Sequence, residues 1–474
     1  MNSLHVIEQD NKYTIFHPES LRLFSVTDDI GKSLKRYELD NIEGRPALWI
    51  HNSRKNDSQK LLNYLYDINR NIPSKDLEWV GKEPRTLCLI ISHDCNLRCG
   101  YCFADHGTFG NDEKLMCLDT AKKGIDKLLD KKFQNFIMFY GGEPFMNFSL
   151  MSAVEEYGHE NDLDIHYVTI TNGTILNDSI EEFIEQRVSS LGISLDGPKE
   201  VNDSQRYGHI ESVHDEVIKT INRLKSTRCP LAIKCIITKN SINKLEYITK
   251  YITSLGIDSI AFADVSRIPQ ESKLFITDNE FEIYTKELSN ILKKNLKELA
   301  SGTKTALICP TFDILRLLIT KTRAIHYCSA GREYIAVTAE GDVYPCHGFV
   351  GMEKFKMGNV HDEDFPGEAY NKIKSMFNNQ SVYASSECKS CWAKFLCGGD
   401  CAVHSYIYNG ELSRPTKRHC ILTKSMLNAI LPEIASIFQN KEQMQNLLCI
   451  WKTSKFGNAP LSRPRSIQPE FLIA

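Results

Sequence analysis

Cysteines are unevenly distributed along this chain, and their spacing constrains its fold more than any other feature. Ten of the sixteen cysteines lie in two short parts of the 474 residues. The larger group contains Cys328, Cys346, Cys388, Cys391, Cys397, Cys401 and Cys420, with Gly341 between the first two. Reduced thiols at short spacings are typical of metal ligands, and few long periodic segments accompany them. We therefore expect a metal to organise this part of the fold.

The bulk properties indicate a reducing compartment and argue against several classes of function. The N-terminus MNSLHVIEQDNK lacks a signal-peptide core, and no apolar run approaches the ~20 residues that span a bilayer. The net charge of −3 makes nucleic acid a poor candidate partner. The length predicts about two to four domains. We expect a cytoplasmic protein that binds neither nucleic acid nor a membrane and keeps its thiols reduced.

The first eighty residues differ in pattern from the rest of the chain. Alternating apolar residues in 5–16 predict two strands that turn at Asp10 and Asn11. Helical patterns follow at 26–39 and 59–72, with a polar loop at 53–59 between them. The pattern predicts a small unit of mixed strand and helix.

From about residue 85 the sequence alternates between apolar strands and amphipathic helices. The predicted strands are 86–92, 135–140, 166–172, 190–195, 231–238 and 259–265. Strands that are apolar throughout and separated by helices predict an α/β fold with a parallel sheet, either an open barrel or a doubly wound sheet. Helices are predicted at 279–301 and 423–438, the second followed by an irregular tail.

The smaller cysteine group comes directly after the first of these strands. Cys95, Cys99 and Cys102 have the spacing C-x3-C-x2-C on a loop from strand to helix. Three thiolates at this spacing can hold one [4Fe–4S] cluster and leave the fourth iron open to a chelating substrate. Spacing alone also allows a zinc site that lacks its fourth ligand, or cysteines with no shared role.

This motif and the segments after it resemble the radical S-adenosylmethionine (SAM) superfamily. In that family an aromatic residue before the last cysteine, here Tyr101, lies near the adenine. The second strand ends in YGGEP, and the resemblance implies that Gly141, Gly142 and Glu143 approach the methionyl ammonium of SAM. Glycines permit close approach of the backbone, and a carboxylate suits a cation. An ordinary tight turn is the alternative for this segment.

Three further segments match the same family. TNGT, with Thr171 and Asn172, closes the third strand, and ISLDGP, with Ser194 and Asp196, closes the fourth. The period of a strand places Ser194 and Asp196 on one face, where a hydroxyl and a carboxylate can meet the ribose. Arg206 falls where relatives place an arginine for the SAM carboxylate, with a solvated surface charge as the alternative. The resemblance implies that all five residues bind SAM.

The larger cysteine group resembles the SPASM extension of radical SAM enzymes, which houses two auxiliary [4Fe–4S] clusters. By this resemblance the outer cluster is bound by Cys388, Cys391, Cys397 and Cys420. The inner cluster is bound by Cys328, Cys346 and Cys401. Its remaining iron is either bound by Cys309 or open to a thiolate of the substrate. Structural zinc is the alternative for the whole region.

Together these resemblances imply an α/β chain with a partial (β/α)6 radical SAM barrel between two smaller domains. The expected units are a winged-helix-like α+β domain at 1–80, the barrel at 81–278, a helical bridge at 279–325, the SPASM domain at 326–425, and a C-terminal helix and tail at 426–474. Three [4Fe–4S] clusters and SAM are the expected cofactors. Reduced flavodoxin or ferredoxin is the expected electron donor.

The segment around Cys328 to Cys346 and the motif CKSCWAKFLCGGDC resemble maturases that build thioether cross-links in ribosomal peptides. The N-terminal unit resembles the domain that holds the leader of the precursor peptide as an added strand. The alternative for this unit is a cap on the barrel. Enzymes that form carbon–carbon or carbon–oxygen links, or mature sulfatases, share these cofactors, and a non-enzymatic zinc scaffold is the alternative outside enzymes. No residue that orients the target C–H bond is identified from the sequence.

Overall fold

The computed structural model describes residues 4–42, 60–64, 85–265 and 267–453. Its N-terminal part is a three-stranded antiparallel sheet with one helix. The elements are β1 (His5–Gln9), β2 (Lys12–His17), β3 (Arg22–Val26) and α1 (Asp28–Ile42), and the strand order is β1-β2-β3. Asp10 and Asn11 have φ values of 50° and 57°, as a two-residue hairpin turn requires, so the predicted turn is confirmed.

Two features of this unit differ from the prediction or lie outside it. β3 is absent from the prediction because its apolar residues do not alternate: Leu23 and Phe24 are adjacent in the segment Arg22–Val26. Residues 60–64 are helical, as predicted. The predicted loop at 53–59 and the rest of the second predicted helix lie outside the described residues.

The centre of the chain is a ten-stranded sheet. Its strands are β4 (Thr86–Ser92), β5 (Asn135–Gly141), β6 (Ile165–Thr171), β7 (Val188–Ser194), β8 (Leu231–Ile237), β9 (Ser259–Asp264), β10 (Leu307–Cys309), β11 (Tyr334–Val337), β12 (Asp342–Tyr344) and β13 (Gly358–Asn359). All six predicted strands are present with bounds that differ by no more than two residues. Their central residues are buried, as expected for strands covered on both faces.

The strand order decides between the two predicted architectures. It runs β10-β9-β8-β7-β6-β5-β4-β11-β12-β13, so β4 to β10 follow one another without a reversal and are parallel. A doubly wound sheet would reverse its order at a switch point. The sheet is therefore wound in one direction, as in an open barrel, and β11 from the cysteine-rich region extends it in parallel beside β4.

Helices cover this sheet and continue through the C-terminal part. After α1 they are α2 (Leu118–Leu128), α3 (Phe148–Glu160), α4 (Asp178–Arg187), α5 (Lys199–Asn202), α6 (Val213–Leu224), α7 (Leu245–Ser254), α8 (Asp278–Ala300), α9 (Thr311–Thr320), α10 (Glu368–Asn378), α11 (Ser386–Lys389), α12 (Lys394–Cys397), α13 (Ala402–Asn409), α14 (Lys417–Gln439) and α15 (Lys441–Thr453). Thr277 and Glu280 form a capping box that starts α8 where a helix is predicted.

The C-terminal part is more helical than predicted. α14 begins at Lys417, six residues before the predicted start, because the side chain of Thr416 caps it by accepting from the N–H of His419. α15 occupies residues for which an irregular tail is predicted. Residues 454–474 lie outside the described part.

One helix, α14, is long and apolar enough to cross a membrane by length and composition. However, 44% of its apolar stretch is buried inside the protein, where it packs against α8 and the N-terminal strands. A buried core helix passes the same test of length and composition. The cytoplasmic location remains a prediction.

Candidate functional site

The predicted SAM-binding segments meet at one edge of the parallel sheet. The cysteine loop follows β4, GGEP follows β5, TNGT follows β6 and LDGP follows β7, so all four lie beyond the carboxyl ends of neighbouring strands. This edge is where parallel sheets with helical crossovers place their ligands. The sheet topology therefore brings the four motifs together although more than 100 residues separate the first from the last.

The smaller cysteine group, Cys95, Cys99 and Cys102, lies on the loop after β4. Its thiols are close enough to influence one another's pKa. The N–H of Leu97 donates to Cys95 Sγ at 3.4 Å and the N–H of His106 donates to Cys102 Sγ at 3.3 Å. Hydrogen bonds to sulfur are one means by which proteins tune iron–sulfur clusters. Burial raises the pKa of Cys95 to about 12 and of Cys99 to about 11. A bound metal would deprotonate such thiols.

The glycine motif after β5 permits the close approach of two loops. A Cβ atom on Gly142 would come within 2.2 Å of the carbonyl oxygen of Asp94 and 2.9 Å of Cys95 Cβ. Gly141 has a φ of 145°, and a Cβ there would meet the carbonyl oxygen of Ser92 at 2.3 Å. Only glycine fits at these two positions. The backbone of GGEP is thus held against the cysteine loop, where a cofactor bound by the cysteines would be.

The Glu143 carboxylate is buried and faces the TNGT segment. Its Oε1 accepts from Phe145 N–H at 3.1 Å and from the Thr171 hydroxyl at 2.7 Å, and its Oε2 accepts from Asn172 N–H at 2.7 Å. Burial raises the pKa of Glu143 to about 7, although these three donors favour the ionised form. Glu143 therefore ties two of the predicted SAM-binding segments together.

Asn172 connects the TNGT segment to the cysteine loop. Its Nδ2 donates to Asn96 Oδ1 at 2.8 Å and to Cys95 Sγ at 3.7 Å. Asn96 in turn donates to the Thr174 hydroxyl at 2.8 Å. The orientation of Cys95 thus depends on side chains from a strand that is distant in sequence.

Asp196 is the centre of a buried polar network rather than a free carboxylate. It accepts hydrogen bonds from the Tyr101 hydroxyl at 2.5 Å, Gln205 Nε2 at 2.7 Å and Ile236 N–H at 2.9 Å. Arg206 adds two more, from Nε at 2.8 Å and from Nη2 at 3.2 Å. Two carboxylate oxygens offer about four lone-pair sites, so protein donors already fill them.

Arg206 is buried, which removes the alternative of a solvated surface charge. Its side chain also contacts the Cys99 thiol, so it lies beside the first cysteine group as well as against Asp196. Ser194 ends β7 and pairs in register with Lys234, which places it on the sheet rather than in the Asp196 network. The structure thus brings Tyr101, Asp196 and Arg206 together and leaves Ser194 apart from them.

The cysteines predicted for the outer cluster are also close to one another. The pKa of Cys420 is raised by burial to about 12 and is further affected by Cys397, Cys388 and Cys391. His419 Nε2 lies 3.3 Å from Cys397 Sγ. Cys420 on the first turn of α14 therefore lies near the cysteines on and around α11 and α12.

Two of the cysteines predicted for the inner cluster lie near Arg267. Burial raises the pKa of Cys401 and the Arg267 guanidinium opposes this, and a Cβ on Gly348 would lie 3.4 Å from Arg267 Nη2 and 3.5 Å from Cys346 Sγ. The third, Cys328, lines a cavity together with Ala402, the residue after Cys401, and with Cys388 of the outer set.

Cys309 lies elsewhere in the barrel. It is buried on β10, and the charged groups that act on its thiol are Asp313 and Lys234, not another cysteine. The structure therefore does not bring Cys309 to the three predicted ligands of the inner cluster.

None of the sixteen cysteines forms a disulfide. Iron–sulfur clusters are bound by cysteine in this reduced form, as the thiolate.

Comparison with known families agrees with the geometry. Residues 89–246 match the family model of the radical SAM superfamily, and residues 328–392 match that of the SPASM iron–sulfur cluster-binding domain. An uncharacterized protein of Methanocaldococcus jannaschii is 30% identical over 292 residues, which are 61% of this chain and 90% of the relative. The chain belongs to the radical SAM superfamily. It is a radical SAM modifying enzyme with a SPASM domain, and its cofactors are [4Fe–4S] clusters and SAM.

Two further radical SAM proteins indicate the range of its relatives. The cysteine-type anaerobic sulfatase-maturating enzyme of Clostridium perfringens is 23% identical over 65% of this chain and 86% of its own length. The solved structure of SuiB from Streptococcus suis bound to the precursor peptide SuiA has a TM-score of 0.50 at 14% identity. It covers 89% of this chain and all of SuiB. The likeness to SuiB shows a shared fold.

Sequence reasoning missed several residues that face the interior of this radical SAM barrel. Burial raises the pKa of Tyr140 on β5, to which Cys88, Cys102 and Cys346 add, and the Tyr140 ring lies 4.6 Å from that of His347. Burial, Arg267 and Lys234 on β8 lower the pKa of His347 to about 3. The sequence signal for Lys234 is a single charge within the otherwise apolar strand LAIKCII.

Proposed function

We propose that this enzyme installs a thioether cross-link, from a cysteine sulfur to a carbon, in a ribosomally made precursor peptide. The observation that carries the proposal is the position of Tyr140. Burial raises the pKa of Tyr140, and Cys88, Cys102 of the first cysteine group and Cys346 of the inner auxiliary group all lie within electrostatic range of its hydroxyl. A peptide bound there would have one residue beside each group, as joining a sulfur to a carbon requires.

The proposed cluster ligands follow the groups described above. We assign the first cluster to Cys95, Cys99 and Cys102. The outer cluster takes Cys388, Cys391, Cys397 and Cys420, and the inner cluster takes Cys328, Cys346 and Cys401. When bound, the first cluster and SAM supply a one-electron cleavage that yields a 5′-deoxyadenosyl radical. Reduced flavodoxin or ferredoxin is the proposed electron donor.

The protein residues around SAM act by orientation in this proposal. Gly141 and Gly142 give SAM access to the backbone, and Glu143 and Asn172 hold the loops that carry it. Asp196 positions Tyr101 and Arg206, and these two side chains, rather than Asp196 itself, contact SAM. This assignment differs from a ribose contact by Asp196 because the protein already fills the acceptor positions of its carboxylate.

We further propose that the N-terminal unit binds the leader of the precursor as an added strand. β3 is one of the two edge strands of this sheet in the described part of the chain, and residues 60–64 lie beside it. The rings of Phe24 on β3 and Tyr64 are in edge contact at 6.2 Å, and Tyr64 is 47% exposed. An edge strand beside an exposed aromatic residue suits β-augmentation by a disordered leader. The winged-helix assignment and the five domain bounds given above are part of this proposal.

A sulfatase-type maturase or an enzyme that forms carbon–carbon or carbon–oxygen links is the second candidate function. The relative from Clostridium perfringens favours the sulfatase-type activity. These enzymes share the cofactors of the proposed thioether-forming enzyme, and the mass of the product separates them.

Mass spectrometry of a co-expressed peptide separates these functions. The enzyme is produced without oxygen together with each short open reading frame encoded beside its gene. A thioether lowers the peptide mass by two hydrogens per link and removes one free thiol per link, as measured with a thiol-alkylating reagent. Loss of two hydrogens with all thiols still alkylated would exclude the thioether and support a carbon–carbon or carbon–oxygen link. No modified peptide from any neighbouring reading frame would reject the proposed function.

A further inference from the structure

Lys234 is a buried cation for which the described residues offer no counter-ion. It lies in the middle of β8, is 5% exposed, and its Nζ has no hydrogen-bond partner. Lysine is rarely buried this deeply unless its charge is paired. Leaving such a group unpaired destabilises a fold, so its presence calls for an explanation other than stability.

The side chains beside Lys234 on the same face of the sheet are small. Lys234 is in register with Ser194 on β7 and Ala261 on β9, and in-register neighbours of parallel strands project to the same side. Gly192 and Ala263 occupy the positions on that face next to these two. The in-register side chains on both neighbouring strands are therefore small.

The groups that face Lys234 from other elements supply no negative charge. Burial lowers the pKa of Lys234 to about 7. Among the described residues, Cys309 on β10 is the one titratable group whose charge influences this pKa. The Lys234 Nζ accordingly has no hydrogen-bond partner among the residues that the structure describes. A bound molecule could supply the partner that these residues do not.

The position of Lys234 links it to the reaction site. The His347 ring lies 4.6 Å from the Tyr140 ring, its Nδ1 lies 2.8 Å from the Tyr334 hydroxyl, and Lys234 is within electrostatic range of it. Cys102 and Cys346 are in turn within electrostatic range of Tyr140. The ammonium thus belongs to the same interior as the two cysteine groups, on the β8 wall.

We propose that Lys234 binds an oxygen acceptor of the substrate, a backbone carbonyl or a carboxylate, and so fixes the peptide segment that carries the reacting carbon. The inference rests on the proposed peptide-modifying function and identifies a substrate contact within it. An oxygen acceptor completes the hydrogen bonding of the ammonium, and the small neighbours make room for a peptide backbone. The free enzyme thus tolerates an unpaired charge that the bound substrate satisfies.

The test compares Lys234→Met with Lys304→Met, a change at an exposed lysine far from any described contact. Two quantities are measured on each holoenzyme: the Tm without peptide, and the ratio of modified peptide to 5′-deoxyadenosine with a peptide that the wild type modifies. Removing the unpaired ammonium should raise the Tm by about 2 °C or more. It should also lower the ratio at least tenfold, because the target C–H bond is no longer held. The Lys304→Met values should equal those of the wild type.

Peptide variants identify the acceptor. If it is a carboxylate, replacing each Asp or Glu of the core peptide by Asn or Gln should lower the ratio for the wild type at one position. If it is a backbone carbonyl, no such replacement should matter, and Lys234→Met should still lower the ratio.

Each outcome bears on the inference separately from the proposed function. A Lys234→Met enzyme that keeps the wild-type ratio, or that has a lower Tm and loses iron, overturns the role of Lys234 as a substrate contact. If the wild type modifies no peptide, the proposed function fails. The Tm measurement then still decides whether Lys234 is an unsatisfied charge, with a rise supporting an unfilled site and a fall rejecting it.

Discussion

At the scale of single residues, the motifs gave the location of the site but not the orientation of its polar side chains. The sequence predicts that Glu143 faces the methionyl ammonium of SAM and that Asp196 faces its ribose. The structure directs Glu143 toward Thr171 and Asn172, and Asp196 toward Tyr101 and Arg206. Spacing along the chain cannot reveal these partners, because they come from other strands and depend on the sheet topology.

Replacing Asp196 by Asn should weaken both folding and SAM binding. The change removes the charge that pairs with buried Arg206, and breaking one side of a buried ion pair costs about 3 kcal/mol or more. Urea unfolding of the holoenzyme measures the loss. The Asp178→Asn variant, which affects an exposed ion pair with Arg223, is the matched control and should leave the midpoint unchanged. Equal midpoints for the two variants would show that the Asp196 network does not stabilise the fold.

Replacing Cys309 by Ala should leave the iron content unchanged. Its thiol faces Lys234 and Asp313, so it is placed to be a buried structural residue rather than a cluster ligand. Cys346→Ala is the positive control and should make the inner cluster labile. The iron content of both variants after anaerobic gel filtration checks the prediction. Loss of about four irons from Cys309→Ala would instead make Cys309 the missing fourth ligand.

At the scale of elements, long regular segments were predictable and short ones were not. The six barrel strands and α8 have apolar residues in clear periodic patterns, and these residues are buried in the structure. β12 and β13 have two or three residues each, too few to show a period, and the apolar residues of β3 do not alternate. These strands exist because neighbouring strands pair with them. The short helices α11 and α12 lie among the predicted ligands of the outer cluster. The cysteines there are the clearest feature of the sequence, and no helical periodicity is visible between them.

A change at the exposed aromatic residue beside β3 tests the leader-binding proposal. Replacing Tyr64 by Ala should weaken binding of a fluorescent precursor about tenfold, because the loss of an exposed aromatic contact costs about 1.4 kcal/mol of binding. The Tyr247→Ala variant removes a tyrosine of similar exposure, 52% against 47%, from the outside of the barrel on α7. Fluorescence polarisation should show unchanged affinity for this control. If both variants bind as the wild type does, the leader lies elsewhere.

At the scale of the whole molecule, the N-terminal unit is less separate than its sequence suggests. Ile7, Phe16 and Leu21 join the main hydrophobic core, and the His5 ring stacks on Trp392 with centroids 3.7 Å apart. Glu19 forms ion pairs with Arg323 at 3.1 Å and with Lys394 at 3.0 Å. The sheet therefore docks on the cysteine-rich part and on α14. Deleting it would expose apolar surface, which is why a point variant is the better test of its function.

The contact between Trp392 and His5 also joins the N-terminal sheet to the residue that follows Cys391. No local pattern in the sequence predicts this docking, because its residues are almost 390 positions apart. The fold class, the barrel strands and the cysteine groups were predictable because each depends on periodicity or on short spacing. Docking of the N-terminal unit and the environment of Lys234 depend on long-range packing.

The central claim is that Cys95, Cys99 and Cys102 hold the cluster that cleaves SAM. The direct measurement compares the anaerobic Cys95→Ala/Cys99→Ala/Cys102→Ala variant with Cys117→Ala/Cys449→Ala, which changes two exposed cysteines outside the groups. With three cubes, the wild type and the control should contain about twelve irons, and the triple variant about eight. The triple variant should form no 5′-deoxyadenosine from SAM and dithionite. Wild-type iron content and full 5′-deoxyadenosine formation in the triple variant would contradict the account.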